Sequence, residues 1–150
     1  MQQLRAYPVF TLKDRLSINK VIICTDGAAR GNPGPAAIGA TLKDDKGNLI
    51  ASVSRRIGIT TNNQAEYQAI IAALEEAVIL GARHVELRAD SELVVQQLNG
   101  RYKVKKATLR THYQQVIQLI GSLESFTIAH IPREQNTEAD KLANKALDGV

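Results

Sequence analysis

Val21-Ile22-Ile23-Cys24-Thr25-Asp26-Gly27 decides how the rest of this chain is read. Its opening residues form a short apolar run, the pattern of a central strand covered on both faces. The run ends on an acid, and Gly31-Asn32-Pro33-Gly34-Pro35 beyond it reads as turn or loop. Working outward, Ala36 to Lys43 and Leu49 to Gly58 read as two strands, and Asp44-Asp45-Lys46-Gly47-Asn48 joins them as a hairpin. Thr61 or Asn62 caps a long helix running to about Leu80, with Ile70, Ile71, Leu74, Ala77 and Val78 at helical spacing; Gly81 ends it. His84 to Ala89 alternates apolar and polar residues as a strand and stops at Asp90. A short helix (Ser91 to Gln97) and a longer one (Thr108 to Ile120) follow, then a strand from Ser125 to His130 that Pro132 closes. Asn136 or Thr137 caps a last helix carrying Ala139, Leu142, Ala143, Ala146 and Leu147. The order β-β-β-α-β-α-α-β-α predicts an α/β fold: a mixed sheet with helices on both faces.

The 150 residues suit one domain with one core. Residues 1–19 carry mixed charge without clean periodicity and read as an N-terminal extension of unassigned role; 20–150 carries the fold. No apolar run approaches the ~20 residues that span a bilayer, and the N-terminus lacks a signal peptide's apolar segment and cleavage site. A cytoplasmic location is the expectation. The lone Cys24 agrees, since it has no partner for an internal disulfide. The net charge is +4 and the pI about 9.3. Arg101, Lys103, Lys105, Lys106 and Arg110 cluster, with Tyr102 between them. That run is either a solvated loop and helix start or a ridge that contacts nucleic-acid phosphates.

Four acids stand out by position. Asp26 and Asp90 each end a strand expected to feed a crossover, which places both at carboxyl ends of neighbouring strands, where open α/β sheets bind ligands. Taken singly, either could begin a turn or cap a helix. Glu66, in the first turn of the long helix, has Ile70 and Ala73 at i+4 and i+7, so it faces the sheet. An isolated buried charge costs several kcal/mol, no Arg or Lys shares that face, and a metal cation is the natural partner. Asp140, in the first turn of the last helix, borders that helix's apolar face; an acid at a helix N-terminus is also favourable in its own right. Together the four predict one divalent-metal site. Ligands offering only oxygen point to Mg²⁺ or Mn²⁺ rather than zinc, and such a site in a basic chain points to a phosphate substrate.

At these residues the chain resembles ribonuclease H of type 1, in a form without the family's basic handle. The matching segments are Thr25-Asp26-Gly27, Gly31-Asn32-Pro33-Gly34, Thr61-Asn62-Asn63-Gln64-Ala65-Glu66, Asp90-Ser91 and Asn136-Thr137-Glu138-Ala139-Asp140-Lys141-Leu142-Ala143. They occur in family order across roughly Val21 to Leu147. The resemblance implies a ribonuclease H-like fold with a five-stranded mixed sheet whose first three strands are antiparallel. It also implies endonucleolytic cleavage of the RNA strand of RNA–DNA hybrids, leaving 5′-phosphate and 3′-hydroxyl ends. Two Mg²⁺ ions, with Mn²⁺ able to substitute, would be held by Asp26, Glu66, Asp90 and Asp140, one activating a water and one stabilising the departing 3′-oxygen. Asp26 and Asp90 would be the shared ligands. Asn32, Asn62 and Asn63 carry over as readers of the RNA 2′-hydroxyl. Lys103, Lys105 and Lys106 of the short basic run, standing in part for the absent handle, are the expected phosphate contacts. A monomer is expected, with double-stranded RNA left open as a second substrate.

Three departures from the family pattern bear on the surroundings of the metals. Glu92 stands where many members have a glutamine amide that contacts the hybrid. Only Gly100 to Lys106 is available where the handle would be inserted. Many members also carry a mobile histidine on the loop before the last acid, and two residues compete for that place. Arg133, on the loop proper, is the preferred reading; its guanidinium can reach a phosphate but cannot act as a base. His130 matches by ungapped spacing, yet it ends a strand and precedes Ile131-Pro132.

Overall fold

A computed structural model describes residues 18–149. Strands β1 (Lys20–Ala29), β2 (Gly34–Lys43) and β3 (Leu49–Thr60) precede helix α1 (Asn62–Ile79). Then come β4 (His84–Ala89), α2 (Glu92–Leu98), α3 (Ala107–Ile120), β5 (Ser125–His130), a 3-10 turn (Arg133–Gln135) and α4 (Thr137–Asp148). The sheet order is β3-β2-β1-β4-β5. The first three strands are antiparallel, while β4 runs parallel to both β1 and β5. The predicted α/β architecture and strand count therefore hold. No helix among the described residues is long and apolar enough to cross a membrane. Residues 1–17 of the expected extension lie outside the described residues; Ile18 packs against the core, and the Asn19 carbonyl accepts from the His84 amide at 2.9 Å.

Three local readings need correction, all around the site. β1 does not stop at Thr25 but continues to Ala29, because Asp26 to Ala29 stay paired with Gly39 to Ala36 of β2. Gly34 and Pro35, expected in a loop, open β2. They pair with Thr60 and Ile59, which extends β3 past Gly58. As a result β1 feeds a hairpin rather than a crossover, and Asp26 lies inside a strand. Its position is special for another reason: the parallel ladder with β4 ends at Thr25↔Ala89. Asp26 and Asp90 are the first residues past that last pair.

Helix α1 starts at a capping box. The Gln64 amide donates to Thr61 Oγ1 at 3.2 Å, and the Thr61 amide donates to Gln64 Oε1 at 3.3 Å. Its buried face is built of Ala65, Ala69, Ala72, Ala73 and Ala77 around Tyr67, Ile70 and Leu74, while Val78 is exposed. Small side chains let the helix lie close to β1. A Cβ on Gly27 would stand 2.2 Å from the Ala65 carbonyl carbon, so only glycine fits. Gly39, opposite Asp26 in register, meets α4 in the same way: a Cβ there would be 2.2 Å from the Ala139 carbonyl oxygen. Gly27 lies opposite Ile38, the neighbour of Gly39, and adjacent strand residues point to opposite faces. Thus α1 and α4 cover opposite faces of the sheet at the level of the acids.

Candidate active site

Asp26 shares the α4 face with its register partner Gly39, whereas Glu66 arrives on α1 from the other face. They meet because the β1–β4 ladder has just ended and no third strand separates the two layers. One carboxylate oxygen from each of Asp26, Glu66 and Asp90 lies within 4.8 Å of the others. Asp26 and Glu66 are only 6% and 8% exposed. Asp140, in the first turn of α4, stands outside that trio but interacts directly with the Asp26 carboxyl. Three of the four sequence-predicted acids therefore form one cluster, and Asp140 is a neighbour of Asp26 outside it.

The electrostatics of the cluster are unfavourable as it stands. Burial, followed by the charges of Asp90 and Asp140, pushes the Asp26 carboxyl up to about 7. Glu66 is raised well above the carboxylate range by burial first, then by Asp26 and Asp90; a hydrogen bond from the Gly27 backbone opposes this in part. Glu66 Oε2 is buried with no hydrogen-bond partner. Like charges crowded together out of water disfavour ionisation, and a hard divalent cation relieves both problems with oxygen ligands alone. The donor set and the orphaned Glu66 oxygen fit such an ion.

A crevice of about 350 Å³ opens over the acids, with Asn62, Asn63, Ser91 and Arg133 in its wall. The two asparagine segments are latched to each other. The Asn62 amide donates to Asn32 Oδ1 at 3.0 Å, and the Ala29 amide donates to Asn62 Oδ1 at 3.1 Å. Each bond uses a side-chain carbonyl oxygen and leaves the NH₂ groups of Asn32 and Asn62 out of the latch. Arg133 lies in the 3-10 turn at the crevice wall. His130 does not line the crevice; its Nε2 contacts the Asp90 carbonyl at 3.2 Å from the end of β5. Glu92 opens α2 one residue past its cap, Ser91. Lys103, Lys105 and Lys106 are exposed on the segment between α2 and α3 and stand apart from the crevice wall.

One residue at this site was read only as a helix cap. Asn136 does precede α4, but its side chain makes no cap bond. It is 1% exposed, and its Nδ2 donates to the Thr25 carbonyl at 2.8 Å and to Asp90 Oδ2 at 3.1 Å. A cap needs a side-chain acceptor close in sequence, whereas these partners come from β1 and from the residue just past β4 and leave no local pattern. Asn136 thus ties α4 to β1 and orients Asp90. Asn136→Ala is expected to lower divalent-ion affinity by roughly 10- to 100-fold, the usual cost of losing a ligand-orienting partner. Titration calorimetry with Mn²⁺ measures it, and unchanged affinity in a folded variant would refute the positioning role.

Similarity to known proteins runs through the same residues. A family profile described as "Reverse transcriptase-like" matches residues 24–146. Ribonuclease HI of Halobacterium salinarum is 47% identical over 123 residues, covering 82% of this chain and 62% of that protein, so the chain spans less than two thirds of this relative's length. The crystal structure of RNase H1 from the same archaeon superposes with a TM-score of 0.86 at 45% identity, covering 88% of this chain and 100% of that one. LC11-RNase H1, solved in complex with an RNA/DNA hybrid, gives 0.83 at 46% identity over 86% and 97% of the two chains. With the profile spanning the sheet and every acid, and near-complete superposition at this identity, the chain belongs to the ribonuclease H family.

Proposed function

We propose that this chain is a metal-dependent endoribonuclease that hydrolyses the RNA strand of RNA–DNA hybrids and leaves 5′-phosphate and 3′-hydroxyl ends. The observation that carries the reading is the mutually repelling Asp26–Glu66–Asp90 cluster, in which Asp26 and Glu66 are buried and one Glu66 oxygen is unpartnered. Asp26 and Asp90 would be shared by two Mg²⁺ or Mn²⁺ ions, with Glu66 and Asp140 each completing one side. When bound, such a pair supplies an activated water and stabilises charge on the departing 3′-oxygen. The chain's own residues do the rest. Asn136 holds Asp90 in orientation. Asn32 and Asn62, with their carbonyl oxygens latched, offer NH₂ donors to the 2′-hydroxyl that distinguishes RNA, and Asn63 stands beside them. Arg133 presents a permanent cation at the crevice wall to a substrate phosphate, and Lys103, Lys105 and Lys106 contact phosphates farther along the duplex. The structure of LC11-RNase H1 with an RNA/DNA hybrid supports the choice of substrate. The same reading has the chain acting in the cytoplasm as a monomer.

The test is cleavage of an end-labelled hybrid in Mg²⁺ and in Mn²⁺, beside matched RNA and DNA duplexes and a chimera with a single ribonucleotide. Cutting of the RNA strand alone is expected, with 3′ ends that a polymerase can extend, and with complete loss of activity on chelation. A hybrid left intact by folded protein in both metals would refute the proposal. Preferential cutting of DNA would move the chain to a different substrate class.

A further inference from the structure

The segment that carries the basic residues has no regular secondary structure, yet it is held at several points from inside. The amides of Arg101 and Tyr102 donate to the Gln96 carbonyl at 2.9 and 3.2 Å. Gln97, 4% exposed in the last turn of α2, turns its Nε2 toward the Lys103 carbonyl at 3.5 Å. Val104 packs against the core. Arg110, one turn into α3, donates to the Lys105 carbonyl at 3.0 Å. Arg110 therefore holds the segment's backbone through the Lys105 carbonyl. The Lys103 and Lys105 carbonyls and Val104 are thus held, and the side chains of Lys103, Lys105 and Lys106 are left exposed.

Gln97 has a second partner. Its Oε1 accepts from the hydroxyl of Tyr67 at 2.6 Å, and Tyr67 is fully buried in α1 directly after Glu66. A buried glutamine held by both ends is fixed in orientation, because each polar atom left unpaired there would cost free energy. The chain Tyr67–Gln97–Lys103 runs from the helix that carries an active-site acid to the backbone of the basic segment.

We propose that Gln97 is a positioning residue for the substrate: held by Tyr67, it sets the basic segment in a fixed frame relative to α1, so that a short loop presents phosphate-binding lysines in preorganised form. Preorganisation matters because a free loop would give up conformational entropy on meeting the duplex. This inference rests on the hybrid-cleaving reading above.

Gln97 is uncharged and buried, so replacing it removes no phosphate contact directly. That separates the proposal from a simple loss of charge. Gln97→Met and Tyr67→Phe, each keeping the apolar volume, are compared with wild type by circular dichroism, Mn²⁺ binding and steady-state cleavage of a hybrid across a salt series. The expected result for both is a rise in KM of roughly 5- to 10-fold with kcat and Mn²⁺ affinity within about twofold. The dependence of log KM on log salt should flatten by about one contact's worth. Lys103→Ala should also cost less in the Gln97→Met background than in wild type, as coupled groups do. An unchanged KM, an unaltered salt slope, or full additivity with Lys103→Ala in folded variants would overturn the proposal. Failure of wild-type protein to cleave the hybrid would instead remove the reading beneath it.

Discussion

Asp26→Asn is expected to eliminate RNA-strand cleavage and, in metal-free buffer at about pH 8, to make the protein more stable. The loss of rate should be on the order of 10³-fold or more: on the proposed reading Asp26 is a ligand shared by both metals, its loss removes several kcal/mol of transition-state stabilisation, and each ~1.4 kcal/mol is tenfold. The gain in stability follows from the weakened acidity of Asp26 in the folded protein. The folded protein holds the Asp26 proton up to about pH 7, whereas an unfolded chain releases it near the ordinary aspartate value of 3.8. Between those values the folded state binds more protons, so stability falls as pH rises through the window. Glu66, raised in the same direction, adds to the fall. Asparagine carries no charge to repel Asp90, and its advantage over aspartate should shrink toward about pH 5, where the native carboxyl is protonated. Mg²⁺ should reverse the order by stabilising wild type more than the variant. Thermal melts at both pH values, with and without Mg²⁺, measure this. A variant that melts below wild type at the higher pH without metal would refute the electrostatic account, and cleavage within about tenfold of wild type would refute the catalytic one.

Gly27→Ala is expected to cost on the order of 3 kcal/mol of stability, at the upper end of overpacking penalties. The added carbon would stand 2.2 Å from the Ala65 carbonyl carbon and 2.4 Å from both the Ala65 carbonyl oxygen and the Glu66 amide nitrogen. All three are backbone atoms with no rotamer to give way, so α1 itself must move. Since α1 carries Glu66, activity should fall along with stability. Gly39→Ala should behave alike from the other face, where the new carbon would meet the backbone of Ala139 and Ala143 near Asp140. Urea unfolding at fixed pH measures both, and a change below about 1 kcal/mol in either would mean that the helix accommodates the methyl group. The two glycines hold the layers close enough for acids from opposite faces to share one site.

Much of this was legible in the chain because it depends on local pattern. The apolar run before Asp26, the cap at Thr61 and the helical spacing around Glu66 each reflect an interaction within a few residues, and the structure keeps all three. The expectation that Asp26, Glu66 and Asp90 gather came from the ends of the apolar run and of β4 and the start of α1, and the three do lie together, although Asp26 sits within β1. Contacts across the sheet were not legible. Nothing near Asn136 indicates that its amide serves Thr25 and Asp90 instead of its own helix, because those partners lie 111 and 46 residues away. Arg110 looked like one more cation in a row until its hydrogen bond to the Lys105 carbonyl appeared.

The sequence by itself determined the kinds of element, their order and the acids placed near one another, since hydrophobic period, caps and turn residues act locally. Only the tertiary structure decided that Asp26 lies inside a strand rather than at its end. The β1–β2 hairpin pairs through Ala29, whereas the ladder to β4 stops at Thr25, and that length is set by the partner strands. The mismatch opens the space in which carboxylates from both faces meet. Burial there, which no local pattern reports, leaves Asp26 and Glu66 in need of a cation.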